Sequence, residues 1–314
     1  MDYKYYIPER FEKEIVLHAI RVLKANLKQA PIMLAIDGPT GEGKTYQCET
    51  VLKRIGCKVF SLSASQFESK NAGEPAERIR KTYDSAIEYI KKSQENFAAL
   101  LIDDADVAFG NWGDLVQYTV NTQGVIGELM NIANMPIQEG ITRIPIFLTG
   151  NDLKKLYAPL RRTGRLDFFY WEPDLKEKAT MIYYLFDFLS LAECEELVSY
   201  VNSQCQNRNL PLASISFYSA IASHMYDNEL WSQYLQKKRS EFNGNLLTNI
   251  KYSESSKVNI EKLKSLSDIM IKQIALSQSD YTNQTNSATN IDELKKLADN
   301  IIKIIKLSQS DFTP

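Results

Sequence analysis

Histidine and cysteine are scarce in this 314-residue sequence. The two histidines, His18 and His224, lie far apart, and none of the four cysteines forms a Cys-x-x-Cys pair. Ser–His and Cys–His catalysis and zinc sites therefore lack the side chains that they need. The low cysteine content also argues against a disulfide framework and is typical of a reducing compartment. We therefore expect a cytoplasmic protein.

Long apolar runs and an excess of one charge sign are also absent. No stretch approaches the roughly 18 apolar residues that cross a bilayer, and the charged N-terminal residues do not resemble a signal or transit peptide. Lys and Arg number 37 against 39 Asp and Glu, which gives a net charge of −2. Neither a membrane partner nor a nucleic-acid partner is expected from this balance.

Short apolar runs alternate with helical patterns over the first half of the chain. The apolar runs are at 31–36, 59–62, 97–102 and 144–149, and the helical patterns are at 10–28, 44–55, 74–93 and 120–134. Continuous apolar strands between helices indicate a parallel sheet that is covered on both faces. We predict an α/β domain over residues 1–173.

The remaining residues show helical patterns and an internal repeat. Residues 174–258 predict a small all-helical domain, and 259–314 predict a helical tail. Within the tail, residues 260–282 match 291–313 at a period of 31, with 14 of 23 positions identical. Each copy predicts an amphipathic helix. Such a helix either caps the domain or packs on a partner, and the sequence leaves both interpretations open.

A glycine-rich segment, GPTGEGKT, follows the first apolar run and precedes a helix. This pattern and context are typical of a phosphate-binding loop, in which backbone N–H groups and a helix N-terminus surround the phosphates. Its lysine would reach the β- and γ-phosphates of ATP, and its threonine would hold Mg²⁺. The residues predicted to bind nucleotide are Gly38, Thr40, Gly41, Gly43, Lys44 and Thr45.

Acidic and amide side chains follow two later apolar runs. Asp103 and Asp104 end the third run, and Asn151 comes just after the fourth. Side chains at the carboxyl ends of parallel strands face the ligand crevice of such a sheet. We predict that Asp103 contacts Mg²⁺, that Asp104 orients or deprotonates the attacking water, and that Asn151 contacts that water or the γ-phosphate.

Three arginines follow the last apolar run, at positions 161, 162 and 165. Arg162 and Arg165 frame a Thr-Gly turn. Guanidinium groups suit the charge that develops on a transferred phosphoryl group. We predict that both arginines reach the ATP of a neighbouring subunit.

In this order and at these spacings, the motifs resemble an AAA+ ATPase module, and the similarity is closer still to Rubisco activases of green plants and cyanobacteria. It covers about residues 5–275 and is most specific in IPIFLTGNDLKKLYAPLRRTGRLDFFYWEP, residues 144–173. The resemblance implies a homo-oligomeric ring, usually a hexamer, with ATP at its subunit interfaces. It further implies Rubisco as the partner, from which a central pore releases inhibitory sugar phosphates.

The resemblance also assigns roles to single residues. Asp103 and Asp104 become the Walker B pair, and Asn151 becomes sensor 1. Arg162 and Arg165 become arginine fingers that complete a neighbour's site.

Two loops fall where this family carries its pore loops. Lys70–Ala72 occupies the place of pore loop 1, where Asn71 is polar and many unfoldases carry an aromatic residue. This difference favours limited pulling over full threading. Trp112, within residues 109–113, lies near the place of pore loop 2.

Three departures from the family pattern leave alternatives open. Ala222 stands where the family has its sensor 2 arginine, and His224 stands at its next arginine. The sequence begins close to the ATPase module, where plant members carry a further N-terminal domain, and its repeated tail is longer than the family pattern. An activase-like ATPase with a different protein client, and an ATP-gated scaffold with weak hydrolysis, are therefore the alternatives.

Overall fold

A computed structural model describes residues 6–23, 30–67, 69–93, 96–110, 120–135, 143–227, 231 and 258–287. Its centre is a five-stranded sheet with the strand order β2-β3-β4-β1-β5, in which every pairing is parallel. The strands are β1 (Met33–Asp37), β2 (Lys58–Ser63), β3 (Ala98–Asp103), β4 (Ile146–Thr149) and β5 (Leu166–Tyr170). The predicted α/β class with a parallel sheet is confirmed.

Helices surround this sheet and make up the later part of the chain. The first five are α1 (Glu9–Leu23), α2 (Lys44–Arg54), α3 (Glu74–Lys91), α4 (Ala105–Phe109) and α5 (Val120–Ala133). The later four are α6 (Leu175–Tyr183), α7 (Leu191–Gln206), α8 (Ile215–His224) and α9 (Ile260–Ser287). Among the residues described after β5, all regular elements are helices, as predicted. No described helix is long and apolar enough to cross a membrane.

Alternate residues of the central strands feed two separate apolar cores. On β1, Met33 and Ala35 belong to one core, and Leu34 and Ile36 belong to the other. Because successive side chains of a strand point to opposite faces, both faces of the sheet are covered. The covering helices explain why these strands read as continuous apolar runs in the sequence.

The sheet contains one strand more than the sequence predicted. Strand β5 pairs with β1 at the edge of the sheet, with Ala35 opposite Phe168. Its side chains alternate between covered and open positions, and Phe168 and Tyr170 are about half exposed. A continuous apolar run predicts a buried strand, and a half-exposed edge strand such as β5 does not have that pattern.

The strand register brings the predicted chemistry to one edge of the sheet. Ile102 of β3 lies opposite Leu148 of β4, so Asp103 and Thr149 are neighbours at the carboxyl ends of their strands. Ile36 of β1 lies opposite Thr149 on the other side. The phosphate-binding loop follows β1 at this same edge.

The chain divides into two compact units, one of Met1–Val198 with Ser214–Ala222 and the other of Ser199–Ala213 with Ser223–Pro314. The first unit contains the sheet. The domain boundaries predicted at residues 173 and 258 stay a prediction.

In the second unit, one face of α9 is buried. Leu263, Ser267 and Ile271 are buried on that face, and the Tyr200 hydroxyl donates a hydrogen bond of 2.8 Å to Asp268 Oδ2. The first copy of the repeat is therefore the predicted helix. The second copy, 291–313, lies outside the described residues.

Candidate functional site

The phosphate-binding loop joins β1 to α2, and its backbone requires glycine. Gly38 has a φ of +143°, and a Cβ atom placed there would lie 1.9 Å from the carbonyl oxygen of Trp171. Gly41 has a φ of +78°, and a Cβ atom there would lie 2.4 Å from Ser216 Oγ. Any side chain at these two positions would force the loop to move.

Lys44 begins α2 and is buried beneath this loop. Its ammonium group donates to the carbonyl oxygens of Gly38 at 2.8 Å and Pro39 at 2.7 Å, and to Asn151 Oδ1 at 3.0 Å. Burial lowers the pKa of Lys44, and the negative charges of nearby carboxylates, Asp37 first among them, oppose that shift. The ammonium group is thus held at the junction of the loop and the end of β4.

Three side-chain oxygens form a compact cluster beside Lys44. Asp103 Oδ1 accepts hydrogen bonds of 2.6 Å from Thr45 Oγ1 and of 2.6 Å from Thr149 Oγ1. The two hydroxyl oxygens lie 3.0 Å apart. Thr149 is not among the predicted site residues, because the last residue of an apolar strand is expected to belong to the core.

Asp104 lies exposed next to this cluster in a left-handed conformation, with φ 51° and ψ 45°. Partial burial raises the pKa of the Asp104 carboxyl, and the negative charges of Asp103 and Asp106 raise it further, while Lys44 opposes them. A carboxylate with a raised pKa in a cleft is a better proton acceptor than an ordinary aspartate.

Two adjoining cavities open around the loop. One has a volume of about 290 Å³ and is polar, and the other has a volume of about 300 Å³ and is mostly apolar. The polar cavity is lined by Thr40, Gly41, Gly43, Lys44, Thr45, Tyr46, Asp103, Asp104, Gly150 and Asn151. The apolar cavity is lined by Tyr6, Gly41, Gly43, Tyr46, Gln47, Met181, Ile182, Leu185, Ile215, Ser216 and Ser219.

These linings separate the predicted residues into two groups. All the predicted loop residues except Gly38 line the polar cavity, as do Asp103, Asp104 and Asn151. Arg162 and Arg165 line neither cavity. Arg162 is exposed, whereas Arg165 donates hydrogen bonds to the Pro159 carbonyl oxygen at 2.8 Å and to Asn134 Oδ1 at 3.1 Å.

The residues at the predicted pore-loop and sensor 2 positions lie elsewhere. Lys70, Asn71 and Ala72 are exposed, and Asn71 Nδ2 donates to Glu74 Oε2 at 3.3 Å. Trp112 lies outside the described residues. Ala222 is near the end of α8 and lines neither cavity.

His224 pairs with an acidic neighbour. Its Nδ1 lies 2.6 Å from Asp227 Oδ2, and both side chains are exposed. The histidine at the place of the family's second arginine is therefore engaged with a carboxylate of its own chain.

Two buried aspartates that the sequence search missed hold the loop after β4. Asp106 Oδ2 accepts hydrogen bonds of 3.0 Å from each of the Asn151 and Asp152 backbone N–H groups. Asp37 Oδ1 accepts one of 3.0 Å from the Leu153 N–H. Asp106 therefore holds the backbone of Asn151 directly, and Asp37 holds the segment that follows it. The available signal was an aspartate on the apolar face of the short helix α4.

Replacing Asp106 by alanine is expected to lower the free energy of unfolding by about 2–3 kcal/mol, because two N–H groups lose a charged acceptor. The freed loop should also lower ATP turnover about tenfold by misplacing Asn151. Urea unfolding and steady-state turnover measure the two effects. The exposed Asp84 of α3 provides the control, Asp84→Ala, which should change neither. Equal stability of the two variants would contradict the assigned anchoring role.

The donor set of the polar cavity suits a nucleotide with Mg²⁺. Thr45 and Asp103 present oxygen atoms to the cavity, which are the ligands that Mg²⁺ prefers, and the buried Thr149 holds Asp103 in place through its hydroxyl group. No cluster of three or more His, Cys, Asp or Glu side chains that could hold a metal occurs among the described residues. Mg²⁺ sites that share their ion with phosphate oxygens need only one or two carboxylates, so this finding fits such a site.

Comparison with known proteins identifies the domain. Residues 34–173 match the family described as "ATPase family associated with various cellular activities (AAA)". A ribulose bisphosphate carboxylase/oxygenase activase of Nostoc sp. (strain PCC 7120 / SAG 25.82 / UTEX 2576) is 39% identical over 238 residues, which are 72% of this chain and 55% of that protein.

Plant proteins match over more of the chain. The chloroplastic activase 1 of Nicotiana tabacum is 35% identical over 283 residues, 86% of this chain and 62% of that protein. The chloroplastic activase of Oryza sativa subsp. japonica is 35% identical over 284 residues, 86% and 59% respectively. The chain thus spans 55–62% of the length of these three relatives. Residues 34–173 therefore form a domain of the AAA ATPase family, and the chain is a relative of the Rubisco activases.

Proposed function

We propose that the protein is an ATP-driven remodeller that assembles into a ring. Its client is Rubisco, from which it uses ATP hydrolysis to release inhibitory sugar phosphates. The observation that carries the ATPase part is the convergence of Lys44, Thr45, Asp103 and Asn151 on one cavity. Similarity to proteins named as activases of ribulose bisphosphate carboxylase/oxygenase supports the choice of client.

The two cavities suggest how ATP binds. The phosphates occupy the polar cavity, where the glycine-rich loop offers backbone N–H groups and Lys44 offers its ammonium group. The base occupies the apolar cavity, between Tyr6 and the helices that carry Ile182 and Ile215. Thr45 and Asp103 would hold Mg²⁺, which would supply positive charge against the phosphates.

Hydrolysis then needs a positioned water and a proton acceptor. Asn151 orients the water, and the Asp104 carboxylate accepts its proton as the oxygen attacks the γ-phosphorus. The bond from the γ-phosphorus to the β,γ-bridging oxygen breaks, which leaves ADP and phosphate. Asn151 already accepts a hydrogen bond from Lys44, so the lysine aligns it for this role.

Arg162 supplies the remaining positive charge from a neighbouring subunit in this proposal. Arg162 is exposed and does not line its own chain's polar cavity, which supports a role in trans within a closed six-membered ring that heterologous interfaces can form.

Mixing two inactive variants tests the role in trans. Lys44→Ala and Arg162→Ala should each be inactive alone. In a 1:1 mixture, about a quarter of the interfaces would combine an intact Lys44 with a neighbour's intact Arg162, so turnover should return to about a quarter of the wild-type value. No recovery from variants that still assemble together would contradict the proposal. Arg165→Ala tests the role in trans less directly, because it also removes hydrogen bonds to Pro159 and Asn134 of its own chain.

The client is tested by carboxylase activity. We expect the purified protein with ATP to restore carboxylation by a cognate Rubisco that is locked with a sugar-phosphate inhibitor, and Lys44→Ala to restore none. ATP turnover without any recovery of carboxylation would retain the ATPase and reject this client. An Asp104→Asn variant, which should bind ATP and hydrolyse it slowly, would then serve to capture a different client.

One observation favours a second candidate, an ATP-gated scaffold with weak hydrolysis. Ala222 offers no positive charge at the sensor 2 position, and His224 is paired with Asp227. Tight ATP binding with turnover that does not differ between the wild type and Lys44→Ala would support the scaffold. Vigorous turnover that Lys44→Ala abolishes would reject it.

A further inference from the structure

The phosphate-binding loop carries a buried negative charge of its own. Glu42 lies between Gly41 and Gly43 and is only 3% exposed. Its Oε1 accepts a hydrogen bond of 2.9 Å from the ammonium group of Lys178, and this lysine of α6 is 6% exposed. Its Oε2 accepts one of 3.3 Å from the backbone N–H of Ile215, at the start of α8. The carboxylate therefore joins the loop to two later helices.

The backbone beside this carboxylate makes matching contacts. The carbonyl oxygen of Glu42 accepts from Trp171 Nε1 at 3.0 Å and from Gln47 Nε2 at 2.9 Å. The carbonyl oxygen of Gly41 accepts from the Ser216 N–H at 3.0 Å. The tip of the loop is thus held by the nearby Gln47 and by two residues that lie more than 100 positions away in the sequence, Trp171 and Ser216.

A carboxylate is an unfavourable neighbour for the ligand that this loop would bind. Nucleotide phosphates are anions, and like charges repel strongly where burial reduces solvent screening. Gly41 and Gly43 on either side of Glu42 line the polar cavity. The charge of Glu42 also acts on Lys44, which lines this cavity. Burial lowers the pKa of Lys44, and the negative charge of Glu42 is one of several that oppose this shift. The ammonium group of Lys178 offsets the Glu42 charge at hydrogen-bond distance.

The helices that the carboxylate joins also form walls of the apolar cavity. Ile182, four residues after Lys178 on α6, lines it, and so do Ile215 and Ser219 of α8. Residues four apart on a helix lie on the same face. A shift of the Glu42–Lys178 pair would therefore move the walls of both cavities together.

We propose that Glu42 and Lys178 are a charge-compensated pair of positioning residues that sets the affinity of the site for the phosphate groups of its nucleotide. The inference rests on the proposed function, because it requires that this site binds a nucleotide. Neither residue acts on the reacting atoms. The pair holds the loop against α6 and α8, and its balance of charge determines how strongly the cavity attracts phosphate.

Charge-specific substitutions separate this role from a purely structural one. Lys178→Met leaves the carboxylate beside the cavity without its compensating positive charge, so the Kd for ATP should rise by more than about tenfold, and more for ATP than for ADP. Glu42→Gln leaves the ammonium group, so ATP should bind as tightly as to the wild type or more tightly. The double variant is neutral and should bind ATP within about threefold of the wild type.

Calorimetric titration of the full chain with ATP and with ADP measures these constants. Lys176→Met is the matched control, because Lys176 lies on the same helix and is exposed. It should change neither constant. If Lys178→Met does not fold, the comparison of Glu42→Gln with the double variant still decides, because only the former retains the positive charge and should bind ATP more tightly.

The outcomes distinguish two failures. Equal weakening of ATP and ADP binding in both single variants would overturn the charge-compensation role and leave the proposed function standing. A wild-type protein that binds neither nucleotide would overturn the proposed function and this inference with it.

Discussion

Replacing Lys44 by alanine is expected to lower ATP turnover by about 10²–10³-fold, the size of loss that follows removal of one preorganised donor to developing charge. Lys44 joins the loop to the segment after β4, since its ammonium group donates to the Gly38 carbonyl oxygen and to Asn151 Oδ1. Its removal deletes a positive charge from the phosphate cavity and frees the amide that orients the water.

The measurement is steady-state release of phosphate at saturating ATP. Lys53→Ala serves as the control, because Lys53 lies on the same helix in an exposed pair with Glu49 and should leave turnover unchanged. Denaturant unfolding should show that the variant is folded under the assay conditions, because it also loses the three hydrogen bonds of the buried ammonium group. Undiminished turnover in Lys44→Ala would show that this cavity is not the site of hydrolysis.

The parts of the site that the sequence predicted are those with local signals. GPTGEGKT between an apolar strand and a helix indicates both the loop and its ligand, because the glycines, the lysine and the helix start are neighbours in the sequence. Asp103 and Asp104 close an apolar run, and parallel strands bring their carboxyl ends to one edge. The register then places Asp103 beside Thr149 and Thr45.

What the sequence did not predict depends on contacts between distant segments. Glu42 and Lys178 are 136 residues apart, and nothing in either local pattern identifies the other. The apolar cavity combines Tyr6 with residues of α6 and α8, which a search for motifs cannot bring together. Asp106 accepts hydrogen bonds from the backbone of Asn151 and Asp152, which are 45 and 46 residues away, and its own local pattern does not identify these partners.

The edge strand was missed for a different reason. Strand β5 has an aromatic residue at each of its last three positions, and half of its side chains face away from the core. Its end carries Trp171, whose indole N–H supports the phosphate-binding loop.

Replacing Asp104 by asparagine is expected to lower turnover by about 10²–10⁴-fold while ATP binding persists, because the amide cannot accept the proton of the attacking water. The variant removes one negative charge beside the phosphates, so its affinity for ATP should equal or exceed that of the wild type. Asp187→Asn, at an exposed position outside both cavities, is the control and should preserve turnover.

The pH dependence gives this prediction a second test. Burial, together with the charges of Asp103 and Asp106, raises the pKa of Asp104, and a general base works only when it is deprotonated. Wild-type turnover should therefore fall as the pH falls through that raised pKa, at a higher pH than an ordinary aspartate would give. The residual turnover of Asp104→Asn should lack this acidic limb. If the Asp104→Asn variant keeps the acidic limb of the wild-type pH profile, another group accepts the proton. If the variant loses ATP binding together with turnover, Asp104 shapes the cavity instead of accepting the proton.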